Sequence, residues 1–335
     1  MKPVIFGLSG DRITPEERAF FAARGPAGYI LFKRNIVDRA QVRALTDDLR
    51  AISGRSDVPI LIDQEGGRVA RMTPPEWPDF PAAAKFDALY KRAPISAMEA
   101  ARVNARAIAL TLAEVGINVN CAPVLDVRRP DTHDAIGDRT YGSDPVRVAS
   151  LGRAVIDGFR QGGVVAVVKH MPGQGRSVVD SHHDVPRVGA SDADLSDDLI
   201  PFARLNNAPM AMTGHVMFPV WDAENCATMS PTIIRDVIRG QIGFDGMLMS
   251  DDLDMKALSG DMASRAVAAV AAGCDVVLHC SGVMADMVAI AEALPAITVR
   301  AGERLAAAMA TIAPVTDFTA LPDLIAKRDE LLALV

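Results

Sequence analysis

Apolar residues along this chain fall in short, nearly unbroken runs, and the stretches between them are longer and amphipathic. The runs are Val4–Gly10, Gly28–Lys33, Val58–Asp63, Ile117–Val127, Val164–His170, Met210–Val216, Gly246–Asp251 and Cys274–Cys280, and their length and Gly, Pro and Asp boundaries predict strands. VVAVV and DVVL do not alternate apolar with polar, which fits parallel strands covered on both faces. Helical patterns lie between them. One starts at Thr14-Pro-Glu-Glu, with Pro just inside the helix; the others span Ala40–Ile52, Ile95–Val115, Val148–Gln161, Asp194–Asn206, Pro231–Ile238 and Ser264–Ala272.

Strands and helices that alternate in this way pair in parallel through right-handed crossovers. Eight such strands predict an α/β fold closed into a (β/α)8 barrel, with residues 1–335 as a single catalytic domain. The tail, 314–335, is expected to hold an outer helix over Leu321–Leu334. An open doubly wound sheet is the alternative. It is disfavoured because no GxGxxG follows the first strand and Gly7-Leu-Ser-Gly10 has the wrong spacing for a phosphate cradle.

Composition narrows the partners. With 335 residues, 50% of them hydrophobic, the chain can bury a large core. A net charge of -7 without a basic run excludes a sequence-independent nucleic-acid surface and points to a small molecule. Cys121, Cys226, Cys274 and Cys280 sit in apolar surroundings without a CxxC pair, so they read as buried, reduced thiols. The apolar stretch Pro3–Leu8 is too short for a signal peptide, and no run reaches the roughly 18 apolar residues of a membrane span. These features predict a cytoplasmic protein with no membrane partner; they do not disclose its oligomeric state, for which a monomer is the working expectation.

Chemistry enters at the strand ends, which in a β/α barrel carry the active site on their carboxyl side. The third strand runs into Asp63-Gln-Glu-Gly-Gly-Arg-Val-Ala-Arg71, the fourth into Asp126, the fifth into Lys169-His170, the sixth into Thr213-Gly-His215 and the seventh into Ser250-Asp-Asp252. Any one could be a strand-end residue bonded to a neighbouring loop. Several on one rim are costly to bury unless they pair or meet a ligand. Strand alternation turns only one of Asp251 and Asp252 toward such a site, and spacing alone does not separate His182 from His183.

The motifs IDQEGGRVAR (62–71), IGDRTYGSDP (136–145), KHMPGQG (169–175), DSH (180–182) and GFDGMLMSDDLDM (243–255) occur in an order that resembles family 3 glycoside hydrolases. Within them the chain is similar to bacterial, cytoplasmic β-N-acetylhexosaminidases of peptidoglycan recycling. The resemblance implies a retaining hydrolysis with Asp251 as nucleophile and His182, paired with Asp180, as acid/base. Retention needs a carboxylate that attacks the anomeric carbon and a second group that first protonates the leaving oxygen and then activates water. An imidazole beside a carboxylate can exchange that proton near neutral pH. The resemblance also implies that Asp63, Arg71, Arg139, Lys169 and His170 bind the terminal sugar of a muropeptide fragment, with no metal and no cofactor. Glu65 and Arg68 are supporting candidates, and a salt bridge from Arg68 or Arg71 to Glu65 is the alternative reading in which these residues are structural.

Two positions depart from the family's pattern: Met171 stands where phenylalanine is usual, and Gln174 where histidine is usual. Other readings use the same residues. A β-glucosidase or β-xylosidase of the same family would keep the strand-seven aspartate. A metal-dependent barrel hydrolase could recruit His170, His182, His183, His215 and Asp251, but it would lack an HxH on the first strand and would carry Lys169 beside a ligand. A sugar-binding barrel without catalysis would not need Asp251 or the Asp180/His182 pair.

Overall fold

A computed structural model of the chain describes residues 1–179, 185–256, 258–312, 314 and 316–335. Among these residues eight parallel strands close in chain order into a barrel: β1 (Lys2–Gly7), β2 (Pro26–Leu31), β3 (Ile60–Ile62), β4 (Val119–Asn120), β5 (Val165–Met171), β6 (Met210–Thr213), β7 (Met247–Asp252) and β8 (Val276–His279). β8 pairs back onto β1, so the sheet has no edge and the fold is a (β/α)8 barrel. Around it lie α1 (Pro15–Arg24), α2 (Arg39–Ser53), α3 (Ala83–Tyr90), α4 (Pro94–Glu114), α5 (Pro145–Gln161), α6 (Asp192–Arg204), a π-helical segment (Ile233–Gln241), α7 (Met262–Ala272), α8 (Met284–Ala293), α9 (Val299–Met309) and α10 (Leu321–Leu332).

Local sequence sets where the helices begin. At α1 the Thr14 hydroxyl accepts the Glu17 N–H while the Glu17 carboxylate accepts the Thr14 N–H, with Pro15 in the first turn and Gly25 left-handed after the last. Asp38, Asp144 and Asp261 cap α2, α5 and α7 through their side chains. Each cap satisfies an N–H that the helix cannot, and each turns the chain at the amino-terminal end of a crossover.

Every expected strand is present, but several are shorter than their apolar runs. The clearest difference is Ile117–Val127, of which only Val119–Asn120 is ladder. Pro123 has no N–H to donate, and beyond it the chain follows β5 through separate bonds, Lys169 N–H to Pro123 O at 3.2 Å and Leu125 N–H to Lys169 O at 2.7 Å. The helices α3, α8 and α9 were not expected from the pattern. The C-terminal helix α10 packs on α4, burying Leu324 and extending Arg328 to Asn104 Oδ1 at 3.2 Å. No helix among the described residues is long and apolar enough to cross a membrane.

Two apolar clusters divide the strand residues by parity. Leu61, Val119, Cys121, Val165, Val167, Met210, Met212, Met247, Met249, Val276 and Leu278 fill the barrel interior. Ile60, Ile62, Ala166, Val168, Ala211, Leu248 and Val277 face the helices. The period of two therefore aims the next odd positions, Asp63 after Leu61, Lys169 after Val167 and Asp251 after Met249, into the barrel at its carboxyl end. Three charged groups from three strands converge because each continues an inward apolar row.

Candidate active site

At that end opens a cavity of 380 Å³, small among ligand clefts, which run to roughly 300–1,000 Å³. The β3–β5 side supplies Asp63, Arg71, Arg139, Lys169 and His170; the β6–β8 side supplies Asp251, Asp252, Met212 and Leu278, with Met255 and Phe32 alongside. The cavity thus has a charged side and a side where a carboxylate pair meets apolar groups.

On the charged side, Lys169 Nζ lies 2.9 Å from Asp63 Oδ1 and 2.8 Å from Glu65 Oε1. Arg139 donates twice to Glu65, at 2.8 and 2.9 Å, and Arg71 reaches Asp63 Oδ2 at 3.3 Å. Lys169 is 2% exposed, so its charge is stable there only with these partners. Burial would raise the Glu65 carboxyl, but Lys169 and Arg139 outweigh it and hold that group well below the usual carboxylate range. Burial would lower Lys169, but Asp63 and Glu65 outweigh it and raise its ammonium above the ordinary value. Two carboxylates and three cations thus form a fixed array of donors and acceptors.

The alternative salt bridge from Arg68 or Arg71 to Glu65 does not form. Arg139 takes Glu65, Arg71 takes Asp63, and Arg68 reaches the exposed Asp138 at 3.1 Å and the carbonyls of Asp134 and Ala135. The reason is tertiary: the loop after β4 brings Arg139 beside Glu65, a partner 74 residues away that spacing within 62–71 cannot reveal.

His170 follows Lys169 with the opposite parity. Its Nδ1 donates to Asp126 Oδ2 at 2.7 Å, and the other Asp126 oxygen accepts the Gln174 N–H at 2.6 Å. A carboxylate only accepts, so Nδ1 carries the hydrogen and Nε2 is left for the cavity. Asp126 orients His170, a role not foreseen, although its place at the end of the fourth apolar run was the available signal. Met171 is fully buried in the apolar shell, and the Gln174 backbone ties the loop start to Asp126.

On the other side, one Asp251 oxygen accepts the Asp252 N–H at 2.8 Å. Asp252 Oδ1 accepts the N–H groups of Asp254 and Cys280, each at 3.1 Å. Burial, then the nearby Asp254 carboxylate, pushes Asp252 up to about 6. Asp254 itself is held at about 2, burial being outweighed by His279, whose Nδ1 is 3.1 Å away. The expectation that Asp252 turns wholly away from the cavity is corrected: the register of β7 against β8 shifts between Met249 and Asp252, and both aspartates line the cavity. Their roles still differ, because the Asp252 carboxylate is held by two backbone amides from its own turn and from β8. Asp180, His182 and His183 lie outside the described residues. All four cysteines are free and buried, Cys280 at the cavity wall.

The sequence profile of the glycosyl hydrolase family 3 N-terminal domain matches residues 5–315. The chain belongs to glycosyl hydrolase family 3. It is 37% identical over 284 residues to a β-hexosaminidase from Bordetella avium (strain 197N), an alignment spanning 83% of this chain and 80% of that protein. A family 3 β-N-acetylglucosaminidase from Paenibacillus sp. str. FPU-7 superposes with a TM-score of 0.86 at 31% identity, over 98% of this chain and 67% of that one. NagZ from Neisseria gonorrhoeae, in complex with N-trifluoroacetyl-D-glucosamine, superposes with a TM-score of 0.87 at 28% identity, over 99% and 98% of the two chains. This family 3 glycoside hydrolase groups with the β-N-acetylhexosaminidases.

Proposed function

We propose that this enzyme is a retaining exo-β-N-acetylglucosaminidase that removes terminal β-linked N-acetylglucosamine from peptidoglycan fragments, the 1,6-anhydro-muramoyl peptides being its substrates. The observation that carries the reading is Asp251, a carboxylate aimed into a small cavity whose opposite side is an ion-paired array of hydrogen-bonding groups. In the first step an Asp251 oxygen attacks the anomeric carbon while His182, oriented by Asp180, protonates the departing oxygen. The product is a glycosyl ester of Asp251. In the second step His182 takes a proton from water, which displaces the carboxylate and restores the β configuration. Asp63 accepts from sugar hydroxyls, Arg71, Arg139 and Lys169 donate, and His170 presents Nε2 to the sugar; their ion pairs fix these groups before the sugar arrives.

The reading takes the chain as one catalytic barrel domain with 314–335 as an outer helical segment, acting as a cytoplasmic monomer without metal or cofactor. NagZ from Neisseria gonorrhoeae accommodates an N-acylated glucosamine, which supports a 2-acetamido sugar here.

One kinetic panel tests substrate and dyad together: aryl β-glycosides varied at the sugar 2-position and in leaving-group acidity, with the wild-type enzyme and His182→Ala. N-acetylglucosaminides should be preferred, activity should survive a chelator, and His182→Ala should lose most on poor leaving groups. Equal efficiency on glucosides or xylosides would overturn the acetamido preference. Equal glycosylation losses on good and poor leaving groups would remove His182 as proton donor.

A further inference from the structure

His215 lies two residues beyond the end of β6 and is fully buried. Its Nε2 lies 2.9 Å from the backbone carbonyl of Asp252, its Nδ1 lies 2.7 Å from Thr228 Oγ1, and Thr228 Oγ1 lies 2.8 Å from Thr213 Oγ1. The hydrogens can be assigned without seeing them. A carbonyl only accepts, so Nε2 carries a hydrogen and donates it. Burial pushes the imidazole below its ordinary pKa, leaving the ring neutral and Nδ1 bare. Nδ1 then accepts the one hydrogen of the Thr228 hydroxyl at 2.7 Å, nearer than the Gly214 carbonyl at 3.3 Å, so the Thr213 hydroxyl donates to Thr228. The chain runs in one direction, Thr213 to Thr228 to His215 to the Asp252 carbonyl, and every member is uncharged.

We infer that His215 is a positioning residue for the glycosidase reaction: it grips the peptide after Asp252 and thereby fixes the angle at which Asp251 meets the anomeric carbon. The inference rests on Asp251 as the nucleophile. Asp252 is then held at both ends, its carbonyl by His215 just after β6 and its carboxylate by the Cys280 and Asp254 amides. The Asp252 N–H in turn holds one Asp251 oxygen. A neutral grip matters here, because a cation at this place would pair with the Asp251 carboxylate and blunt its attack.

The test compares His215→Leu, which removes both contacts, with His215→Gln, whose side-chain amide can donate to the same carbonyl, and with Thr228→Val, which removes the hydroxyl that Nδ1 accepts. A 5-fluoro N-acetylglucosaminyl fluoride labels the nucleophile, and steady-state rates are read on an aryl N-acetylglucosaminide. In His215→Leu labelling of Asp251 and kcat should fall about 10–100-fold with KM within about 3-fold of wild type, the scale expected when an attacking group is misplaced. His215→Gln should recover most of that loss, and Thr228→Val should lose only about 3–10-fold. If His215→Leu does not fold, the Gln and Val variants carry the comparison. Wild-type labelling rates in the variants, a loss in His215→Gln equal to that in His215→Leu, or a raised KM at unchanged kcat would each overturn the positioning role. A wild-type enzyme labelled elsewhere than Asp251 would remove the nucleophile assignment and this inference with it.

Discussion

The β3–β5 and β6–β8 sides of the cavity solve the same problem, holding polar groups still in a buried place, by opposite means. On the first, the carboxylates of Asp63 and Glu65 and the cations Lys169, Arg71 and Arg139 hold one another through charged contacts of 2.8–3.3 Å. On the second, Thr213, Thr228, His215 and the Asp252 backbone form a chain without a net charge, and the charge is left to the aspartates. The difference follows from what each side must do. Groups that bind a neutral sugar work best as pre-oriented, mutually compensated ions, because an unpaired charge there would prefer water to the ligand. A nucleophile needs its negative charge, so its neighbours should fix its position without compensating that charge.

The sharpest way to break the comparison is Asp251→Gly. Removing the only group on the uncompensated side that attacks carbon should reduce kcat by roughly 10⁴–10⁶-fold, the scale of deleting a catalytic nucleophile. Added azide should then enter the vacated space and yield the α-glycosyl azide, visible by NMR. A residual rate within tenfold of wild type would place the nucleophile elsewhere.

Lys169→Met tests the compensated side. It leaves Asp63 and Glu65 facing each other with less positive charge, and breaking a buried ion cluster from one partner costs about 3–5 kcal/mol. Urea unfolding should show that loss, and Lys169→Met combined with Glu65→Gln should regain part of it because the second change removes the orphaned charge. A loss below about 1 kcal/mol would show that Arg71 and Arg139 suffice alone.

The smallest effect expected is a pH dependence at Asp252. Its folded pKa of about 6 lies above the ordinary carboxyl value of 3.8, so its contribution favours the fold fully below about pH 4 and is lost as pH rises through about 6. Thermal melts of wild type against Asp252→Asn should diverge over that window, by at most about 3 kcal/mol at 1.36 kcal/mol per pKa unit. Asn keeps an oxygen for the Cys280 and Asp254 amides, so a flat difference would mean that Asp252 titrates normally. Glu65 works in the other direction: its depressed value adds stability above about pH 4.5 that is lost on acidification.

Much of this arrangement is legible in the residues themselves. The run VVAVV that stops on Lys169 predicts both β5 and a lysine at the barrel mouth, because strand period and burial cost act within a few residues. Thr14-Pro-Glu-Glu gives the start of α1 for the same local reason. In contrast, α8 (MADMVAIAEA) is apolar and Ala-rich enough that its periodicity is weak, and it escaped the pattern. The strand predicted through Val127 keeps its ladder only at Val119–Asn120, and beyond Pro123 the chain meets β5 again in a single bridge from Val124 to Lys169.

The sequence by itself determined the element types, the inward parity that carries Asp63, Lys169 and Asp251 to one rim, and the family motifs. Each depends on neighbours along the chain. Only the tertiary structure decided which ions pair: Glu65 with Arg139 at 2.8 Å across 74 residues, His170 with Asp126 across 44, and the Asp252 carbonyl with His215 across 37. Hydrogen bonds and ion pairs act over about 3 Å in space without regard to separation along the chain, so closing the barrel had to choose these partners.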